Sequence, residues 1–553
     1  MKNLTSLKTS QVRKVGLPPL FLFLFLWLTP FADAQRRERT IDAWKPVHYD
    51  VSISFNDQIS EIAAARTEIS LQVLRPNLAK IDLDFGELPI DSVSVSGQPG
   101  SFERAPDLLT VILPHAAKQN EKVNLVINYH GRPKDGLIFA NDRDGHPSAT
   151  GDNWPNRVHQ WIPCLDHPSA KATVSFTVSA PQREIVVANG KFVNVTGNAA
   201  VAQWRYDELK PIPPYCMVIA VNEGAKIDAD GPTVTPLSYY VPVRDRDYAA
   251  KGFSAGAPAV LFFGETIAPY PYEKLALIVG ATRFGGMENS SAIVFASTLF
   301  DLRANEKMSA RFGIPTRIED VVAHEIAHQW FGDSVTESTW ADLWLSEGFA
   351  TYFAGLFIEK YDGADAFHEY MHNAASRYFA YEKQRNAAIH DTETEDLMKL
   401  LNPNNYEKGA WVLHMLRRRL GDERLFRGLR SYYDAHREAN ATSEDLRSAL
   451  EKASGKDLKN FFARWVYGFG HPQYQLAWSS SNAGSLTVTL EQVQAAEAFL
   501  DPVPIVLTVN GIKQQSTIYP KSKLTTIQIH VEGNPTSIQI DPEETLLREV
   551  LPK

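Results

Sequence analysis

The sequence predicts a multidomain α+β protein with an N-terminal antiparallel β domain, a mainly helical middle domain and a small C-terminal β-sandwich. Its 553 residues correspond to three or four domains of about 150 residues each. Apolar and polar residues alternate towards both ends of the chain, whereas the pattern in the middle is mainly helical. We divide the chain into segments 1–34, 35–222, 223–470 and 471–553.

The first segment, residues 1–34, is predicted to be a signal peptide. A positive n-region is followed by the apolar run Leu20–Leu28 and by the small-x-small site Ala32-Asp-Ala34, which predicts cleavage before Gln35. Because the uncharged run is short for a bilayer span, we expect an exported protein, periplasmic or secreted, without membrane insertion after cleavage. An uncleaved membrane anchor is the alternative.

The charge balance of the chain is acidic. The formal net charge is −9, and a chain that begins at Gln35 loses a further net +3. An acidic protein does not favour nucleic acid or an anionic membrane surface as its main partner. Hydrophobic residues make up 44% and charged residues 22% of the sequence, which is ordinary for globular domains.

Segment 35–222 is predicted to be a large antiparallel β domain. Apolar residues alternate with polar ones over several runs, so each strand has one buried face. Turns rich in Gly, Pro and Asn separate the runs. The runs are Tyr49–Phe55, Ile69–Val73, Ile81–Phe85, Val123–Tyr129 and Val174–Val178.

Segment 223–470 is predicted to be mainly helical. The capping-box spacing Thr316-Arg-Ile-Glu319 opens an apolar helix that runs to about Phe331, with Gly332 as its stop signal. A second helix is predicted from Asp342 to Tyr361. Further helices are expected around 365–382, 405–420, 423–436, 443–453 and 457–466.

Segment 471–553 returns to alternation and predicts the small β-sandwich. Its apolar runs are short, and the Asn510-Gly511 dipeptide marks a hairpin turn between two of them. The only two cysteines, Cys164 and Cys216, lie earlier in the chain in apolar surroundings. These surroundings favour two buried free thiols, with a disulfide between them as the alternative.

The motif His324-Glu-Ile-Ala-His328 predicts a metal site. Histidines four residues apart project from one face of a helix, so both imidazoles can reach one ion. Glu347 on the following helix supplies an acidic third ligand, and three protein ligands that leave one position for water are typical of catalytic zinc. The alternative is a solvated helix face that carries two unrelated histidines. We predict one zinc ion per chain.

Glu325 follows the first ligand and is predicted to be the general base. Its carboxylate can reach a water at the metal without being a ligand itself. Zinc lowers the pKa of such a water to about 7, and Glu325 can take its proton and pass it to a leaving amine. The sequence therefore predicts a zinc-dependent hydrolase.

Taken together, four stretches of the sequence resemble peptidase family M1, the gluzincin zinc aminopeptidases related to leukotriene hydrolase. Their order and spacing match the family, and the three-domain layout matches over nearly all the chain after the signal peptide. The resemblance implies a thermolysin-like middle domain and hydrolysis of the N-terminal peptide bond of peptide substrates. The stretches are Val321–Phe331, Trp344–Ala350, Gly285-Gly-Met-Glu-Asn289 and Tyr406-Glu-Lys-Gly-Ala410.

The resemblance also implies roles for individual residues. Tyr406 would donate to the oxyanion of the tetrahedral intermediate, and Glu288 would bind the α-ammonium of the substrate. Gly285 and Gly286 would let the peptide backbone approach closely, within a substrate-binding loop completed by Met287 and Asn289. The plainer alternatives are a tyrosine at a helix start, a structural charge and an ordinary turn.

One position departs from the family pattern. Many members carry a second amine-binding acid or amide ten residues before the Pro-Cys of the N-terminal domain, where this chain has Trp154. The amine site then consists of Glu288 alone or recruits Asp152 or Asn153, and Trp154 either shapes the first specificity pocket or is a core aromatic residue. A smaller departure is Asp333, where the family usually has Asn.

Two other functions stay open at this stage. One is a different hydrolase on the same scaffold, such as an epoxide hydrolase or a peptidase that does not require a free N-terminus. The other is a catalytically inactive binding protein, which the presence of Glu325 and Tyr406 disfavours. The sequence does not set the preferred N-terminal residue or the oligomeric state.

Overall fold

The computed structural model describes residues 36, 38–39, 41–229, 235–304, 317–480 and 484–552. The predicted signal peptide and Thr316 of the predicted capping box lie outside these residues, so cleavage, export and that cap stay predictions. Within the described residues, no helix is both long enough and apolar enough to cross a membrane.

The N-terminal region is built from β-sheets, as predicted. Strands β13-β14-β11-β1-β2-β8-β4-β5, β12-β15-β10-β9 and β3-β7-β6 form its three sheets in these orders. Pairing is antiparallel except between β1 and β11, which run parallel. The strands are β1 Trp44–Phe55, β2 Ile62–Val73, β3 Leu78–Asp84, β4 Ile90–Val95, β5 Gln98–Pro99, β6 Ser101–Ala105, β7 Leu108–Ala117, β8 Lys122–Gly131, β9 Leu137–Asn141, β10 Pro147–Gly151, β11 Ala172–Pro181, β12 Ile185–Ala188, β13 Lys191–Gly197, β14 Val201–Ile212 and β15 Ile219–Asn222.

A mixed five-stranded sheet opens the middle region, in the order β16-β17-β18-β20-β19. Strand β19 pairs only with β20, antiparallel, and is therefore an edge strand of this sheet. A separate parallel pair, β21 and β22, lies among the helices. These strands are β16 Gly224–Asp228, β17 Leu237–Pro242, β18 Leu275–Gly280, β19 Gly286–Met287, β20 Ala292–Ala296, β21 Val335–Glu337 and β22 Ala439–Ala441.

The rest of the middle region is helical. Short 3₁₀ helices occur at Val243–Tyr248, Leu299–Ala304, Trp340–Asp342 and Leu397–Leu400, with two more in the N-terminal region at Val158–Gln160 and Pro214–Cys216, and a π-helix spans Asn404–Lys408. The α-helices are α1 Ala249–Gly252, α2 Gly256–Thr266, α3 Ile318–His328, α4 Trp344–Asp362, α5 Ala364–Glu382, α6 Gly409–Leu420, α7 Asp422–His436, α8 Ser443–Ser454 and α9 Lys459–Trp465.

Helices α3 and α4 pack against each other at the centre of this region. Helix α4 is buried continuously from Trp344 to Ile358, as expected for a helix that is apolar on all sides. Helix α3 ends at His328 rather than near Phe331, because the chain turns back there and Asp333 N–H donates to the His328 carbonyl. Gly332 makes this turn with a φ of 125°, a conformation that favours glycine.

The C-terminal region forms two small sheets, β27-β24-β23-β29 and β26-β25-β28. Asn510 and Gly511 join β25 to β26 with φ angles of 50° and 81°, both positive as a tight hairpin turn requires. The predicted fold class is confirmed, while the segment boundaries stay predictions. The strands are β23 Gln473–Ser480, β24 Ser485–Gln492, β25 Val503–Val509, β26 Ile512–Ile518, β27 Leu524–His530, β28 Pro535–Ile540 and β29 Glu549–Val550.

Candidate active site

Helices α3 and α4 bring the three predicted metal ligands together. His324 Nε2 and His328 Nε2 each lie 3.4 Å from Glu347 Oε2 and 3.1 Å from each other. Both histidines come from the last two turns of α3, and Glu347 comes from the first turn of α4. Among the described residues, this is the one group of three His, Cys, Asp or Glu side chains with the spacing of a metal site.

The three donor atoms fit a zinc ion. Ligands about 2.0–2.1 Å from a tetrahedral zinc lie about 3.4 Å from one another, close to the separations found here. Glu347 Oε2 is buried and has no hydrogen-bond partner, which is expected of an atom that binds a metal. His328 Nδ1 lies 3.2 Å from the Phe331 carbonyl, so donation there leaves Nε2 free to bind the ion.

Burial and the neighbouring imidazoles act in opposite directions on Glu347. Burial disfavours its charge, but the close His324 and His328 side chains outweigh burial and lower the pKa of Glu347 to about 2. The carboxylate is therefore ionised near neutral pH, as a metal ligand must be.

Glu325 follows the predicted ligand His324 and packs against Gly286 of the predicted substrate loop. A Cβ atom built on Gly286 would overlap the Glu325 carboxylate, whereas a Cβ built on Gly285 meets nothing within 4 Å. The absence of a side chain at Gly286 therefore makes room for Glu325. Of the two glycines that were predicted to let a peptide backbone approach, only Gly285 borders open space. Burial raises the pKa of Glu325 well above its usual range.

Tyr406 lies in the π-helix and reaches the same group. Its hydroxyl donates to Glu347 Oε1 at 2.7 Å, and its ring stacks on His324 with centroids 6.0 Å apart. Burial raises the pKa of the Tyr406 hydroxyl well above its usual range, so it stays protonated and can act as a donor.

The Gly-Gly-Met-Glu-Asn stretch forms edge strand β19 and the turn after it. Glu288 is 5% exposed, and burial raises the pKa of its carboxyl to about 7. Met287 is buried in an apolar cluster. Asn289 is also buried, and its Nδ2 donates to the Tyr215 carbonyl at 3.5 Å, so Asn289 contacts the N-terminal region.

Neither residue before Trp154 offers a free polar group to a substrate amine. Asp152 accepts from Thr282 Oγ1 at 3.2 Å and forms an ion pair with Arg157 at 3.1 Å. Asn153 accepts from the Trp161 indole at 2.8 Å and donates to the Met217 carbonyl. Both side chains are fully buried.

Trp154 itself is part of an aromatic cluster next to the substrate loop. It is 2% exposed and packs edge-on against Phe284 and Trp340, with centroids 6.1 and 5.7 Å away. The sequence did not point to these two partners, although Phe284 directly precedes the glycines of the loop.

Asp333 and Gln329 form hydrogen bonds beneath the site. Asp333 Oδ2 accepts from Gln329 Nε2 at 2.8 Å, and Asp333 Oδ1 accepts from the Cys216 thiol at 3.2 Å. Asp333 is therefore a buried acceptor that holds the turn after α3. Both cysteines are buried free thiols. Gln329 was missed by sequence reasoning, although it directly follows the second histidine of the motif.

This fold and donor set define the thermolysin-like class of zinc peptidase domain: two histidines from one helix, a glutamate from the next, and an edge strand beside them. The chain belongs to peptidase family M1. The sequence model of the peptidase family M1 domain matches residues 255–465, and that of the peptidase M1 N-terminal domain matches residues 45–216. The resemblance predicted from the four stretches is confirmed.

Several curated proteins are similar to this chain. A probable aminopeptidase 1 of Sulfurisphaera tokodaii is 24% identical over 492 residues, covering 86% of this chain and 60% of the relative. A leucyl aminopeptidase of Saccharolobus solfataricus is 25% identical and is covered to 54%, with 80% of this chain aligned. A Tricorn protease-interacting factor F2 of Thermoplasma acidophilum is 28% identical and is covered to 55%, with 78% of this chain aligned. The chain thus spans a little over half the length of these relatives.

A solved structure shares the fold. The M1 zinc metallopeptidase of Deinococcus radiodurans superimposes with a TM-score of 0.64 at 23% identity, over 78% of this chain and 95% of that one.

Proposed function

We propose that this protein is a zinc metalloaminopeptidase that hydrolyses the N-terminal peptide bond of peptides. The observation that carries the proposal is one buried carboxylate, Glu288, which directly follows edge strand β19 and interacts electrostatically with His328 and Glu347 of the metal group. A metal group alone supports hydrolysis of many substrates. An anionic group at the end of a peptide-binding edge supports recognition of a free amino terminus.

His324, His328 and Glu347 would hold the zinc. When bound, zinc supplies a water whose pKa is about 7 and polarises the scissile carbonyl. Glu325 accepts the proton of the attacking water and delivers it to the leaving amine. The Tyr406 hydroxyl donates to the oxyanion that forms on the scissile carbonyl.

The substrate backbone would pair with the outer edge of β19, which no strand among the described residues occupies. An extended peptide can add to such an edge through main-chain hydrogen bonds, which do not depend on its sequence. Glu288 then binds the α-ammonium, and because Asp152 and Asn153 are engaged elsewhere, we assign the amine to Glu288 alone. The fixed position of Glu288 places the first peptide bond at the metal, so one residue is removed.

The remaining features of the proposal concern specificity and location. We infer that the aromatic cluster of Trp154, Phe284 and Trp340 bounds the pocket for the first side chain. Peptides are the proposed partners. The basic and apolar pattern of residues 1–34 supports export to the periplasm or the medium.

The test combines metal analysis with peptide kinetics. Purified protein is expected to contain one zinc per chain, to lose activity with a chelator and to regain it when zinc is restored. A peptide with a free amino terminus should be cleaved much faster than its N-acetylated counterpart. Equal rates would contradict the aminopeptidase assignment and favour a peptidase that does not read the terminus. Epoxide hydrolysis without peptide cleavage would favour the other hydrolase.

A further inference from the structure

Gln329 directly follows the metal ligand His328, and its side-chain amide is surrounded by partners. Nε2 donates to the Glu288 carbonyl at 2.9 Å and to Asp333 Oδ2 at 2.8 Å. Oε1 accepts from the Ser291 backbone N–H at 2.8 Å. The Tyr270 hydroxyl lies 2.9 Å from the same oxygen and 3.1 Å from the Lys274 carbonyl, and its one proton can be donated to either acceptor.

Three of these contacts are firm hydrogen bonds of the amide, and the Tyr270 hydroxyl can supply the fourth. A primary amide has two N–H donors and an oxygen that accepts two hydrogen bonds. The reverse orientation of the amide would place its oxygen against two acceptors, the Glu288 carbonyl and Asp333, and its nitrogen against the Ser291 N–H. Only one orientation satisfies the site. Since Gln329 is fully buried, water cannot replace a lost partner at low cost.

The partners of the amide join the two halves of the candidate site. Gln329 is the C-cap of α3, the helix that carries His324 and His328. Glu288 and Ser291 belong to the segment between β19 and β20, which carries the proposed amine-binding carboxylate. The amide is therefore a direct link between the backbone at the metal and the backbone at Glu288.

We propose that Gln329 is a positioning residue that sets the distance between the metal and the group that binds the substrate amine. This inference depends on the proposed aminopeptidase function. An exopeptidase needs the α-ammonium and the first peptide bond to be held at one fixed separation. Misplacement by about 1 Å can cost roughly 100-fold in rate even when the catalytic groups are intact.

The discriminating variant is Gln329→Leu, which keeps similar bulk and removes all the amide contacts. Its matched control is Gln492→Leu in the C-terminal β-sandwich. Gln492 is also buried; its Nε2 donates to the Phe499 carbonyl at 2.7 Å, and its Oε1 accepts from the Phe499 N–H at 2.8 Å and from Gln494 at 3.0 Å. Both variants lose a buried amide network, but only one network touches the site.

The readout is how strongly the enzyme prefers a free over an N-acetylated terminus. We measure kcat and KM for both forms of one peptide, identify the products of a pentapeptide, and determine zinc content and melting temperature. Gln329→Leu is expected to retain zinc, to lower the free-to-acetylated ratio of kcat/KM at least tenfold, and to release some dipeptide. Gln492→Leu is expected to lose similar stability and keep the wild-type ratio and products.

Tyr270→Phe provides a milder variant in case Gln329→Leu does not fold. It removes one donor to the amide and is expected to lower the same ratio by a few-fold. An unchanged ratio in the folded variants would overturn the positioning role while leaving the aminopeptidase assignment intact. A wild-type protein that does not distinguish the two substrates would overturn the proposed function, and this role with it.

Discussion

Replacing Tyr406 by Phe removes one hydroxyl and leaves the ring that stacks on His324. In the structure this hydroxyl donates to Glu347 Oε1 at 2.7 Å, so it lies within reach of an oxyanion formed at the metal. Loss of one oxyanion donor costs about 3–4 kcal/mol, roughly 10²–10³ in kcat. Because Phe keeps the ring, KM should change little.

The same substitution leaves Glu347 Oε1 without its donor, so zinc content must be measured with the kinetics. A charge-assisted hydrogen bond contributes about 1.5–3 kcal/mol, and its loss could weaken metal binding rather than catalysis. Assays in which the variant is loaded with zinc separate the two effects. The expected result is a kcat at least 100-fold lower at full zinc occupancy.

Tyr378→Phe is the matched control for this experiment. Tyr378 on α5 is equally a buried tyrosine that donates to a glutamate, Glu382 Oε1 at 3.1 Å, and Phe keeps the ring that lies 5.3 Å from Lys408 Nζ of the π-helix. Removal of the Tyr378 hydroxyl should lower the melting temperature and leave kcat unchanged. A zinc-loaded Tyr406→Phe enzyme with kcat within tenfold of wild type would refute the oxyanion role.

Three further predictions concern the general base, a contact between regions and the pH dependence of stability. Glu325→Gln should lower kcat about 10²–10⁴-fold with zinc retained; near-normal turnover would show that another group is the base. Lys171 donates to the backbone carbonyls of Asp333, Ser334 and Ala439 at 2.8, 2.8 and 3.1 Å, so Lys171→Met should lower the free energy of unfolding by about 3 kcal/mol. The control is Lys210→Met, because Lys210 is half-exposed and forms an ion pair with Glu438 at 2.7 Å. This control should lower the free energy of unfolding, measured by urea titration, by at most about 1 kcal/mol. Equal losses in the two variants would contradict the prediction for Lys171. Burial lowers the pKa of His414 to about 3. As the pH falls below about 6.5, this histidine is therefore protonated in the unfolded chain but not in the folded one. The wild-type protein should lose about 2 kcal/mol of its free energy of unfolding between pH 7 and pH 5 through this residue. His414→Asn should reduce this loss of stability with falling pH, whereas substitution of the exposed His115 should not. If all three proteins lost the same stability between pH 7 and pH 5, the predicted contribution of His414 would be wrong.

The sequence predicted the elements of this site because their signals are local. Two histidines four residues apart on a helix lie on the same face whatever surrounds them, and a glutamate on the next helix can reach the same ion. Likewise, alternation identifies a half-buried strand, and Asn510-Gly511 fixes a turn through the backbone angles of two residues.

What the sequence could not predict depends on partners that are distant along the chain. Periodicity shows which face of β1 is buried but does not show that β11 pairs with it in parallel. Asp152 contacts Arg157 and Thr282, and these contacts could not be predicted because Thr282 belongs to a different region of the chain. Nothing in Asn404–Lys408 distinguishes a π-helix from an α-helix. The sequence identifies Gln329 only as a residue near the end of a helix, because its hydrogen-bond partners come from three other segments of the chain.

The length of strand β19 has a further consequence for the behaviour of the protein in solution. An exposed sheet edge is a template on which other chains can aggregate, and long flat edges are the most hazardous. Strand β19 offers only Gly286 and Met287, and the chain turns inward at Glu288, where a buried carboxylate ends the strand. An edge of two residues is too short to recruit a β-strand from a neighbouring molecule. The strand proposed to admit the substrate thus also has a length that disfavours aggregation along this edge.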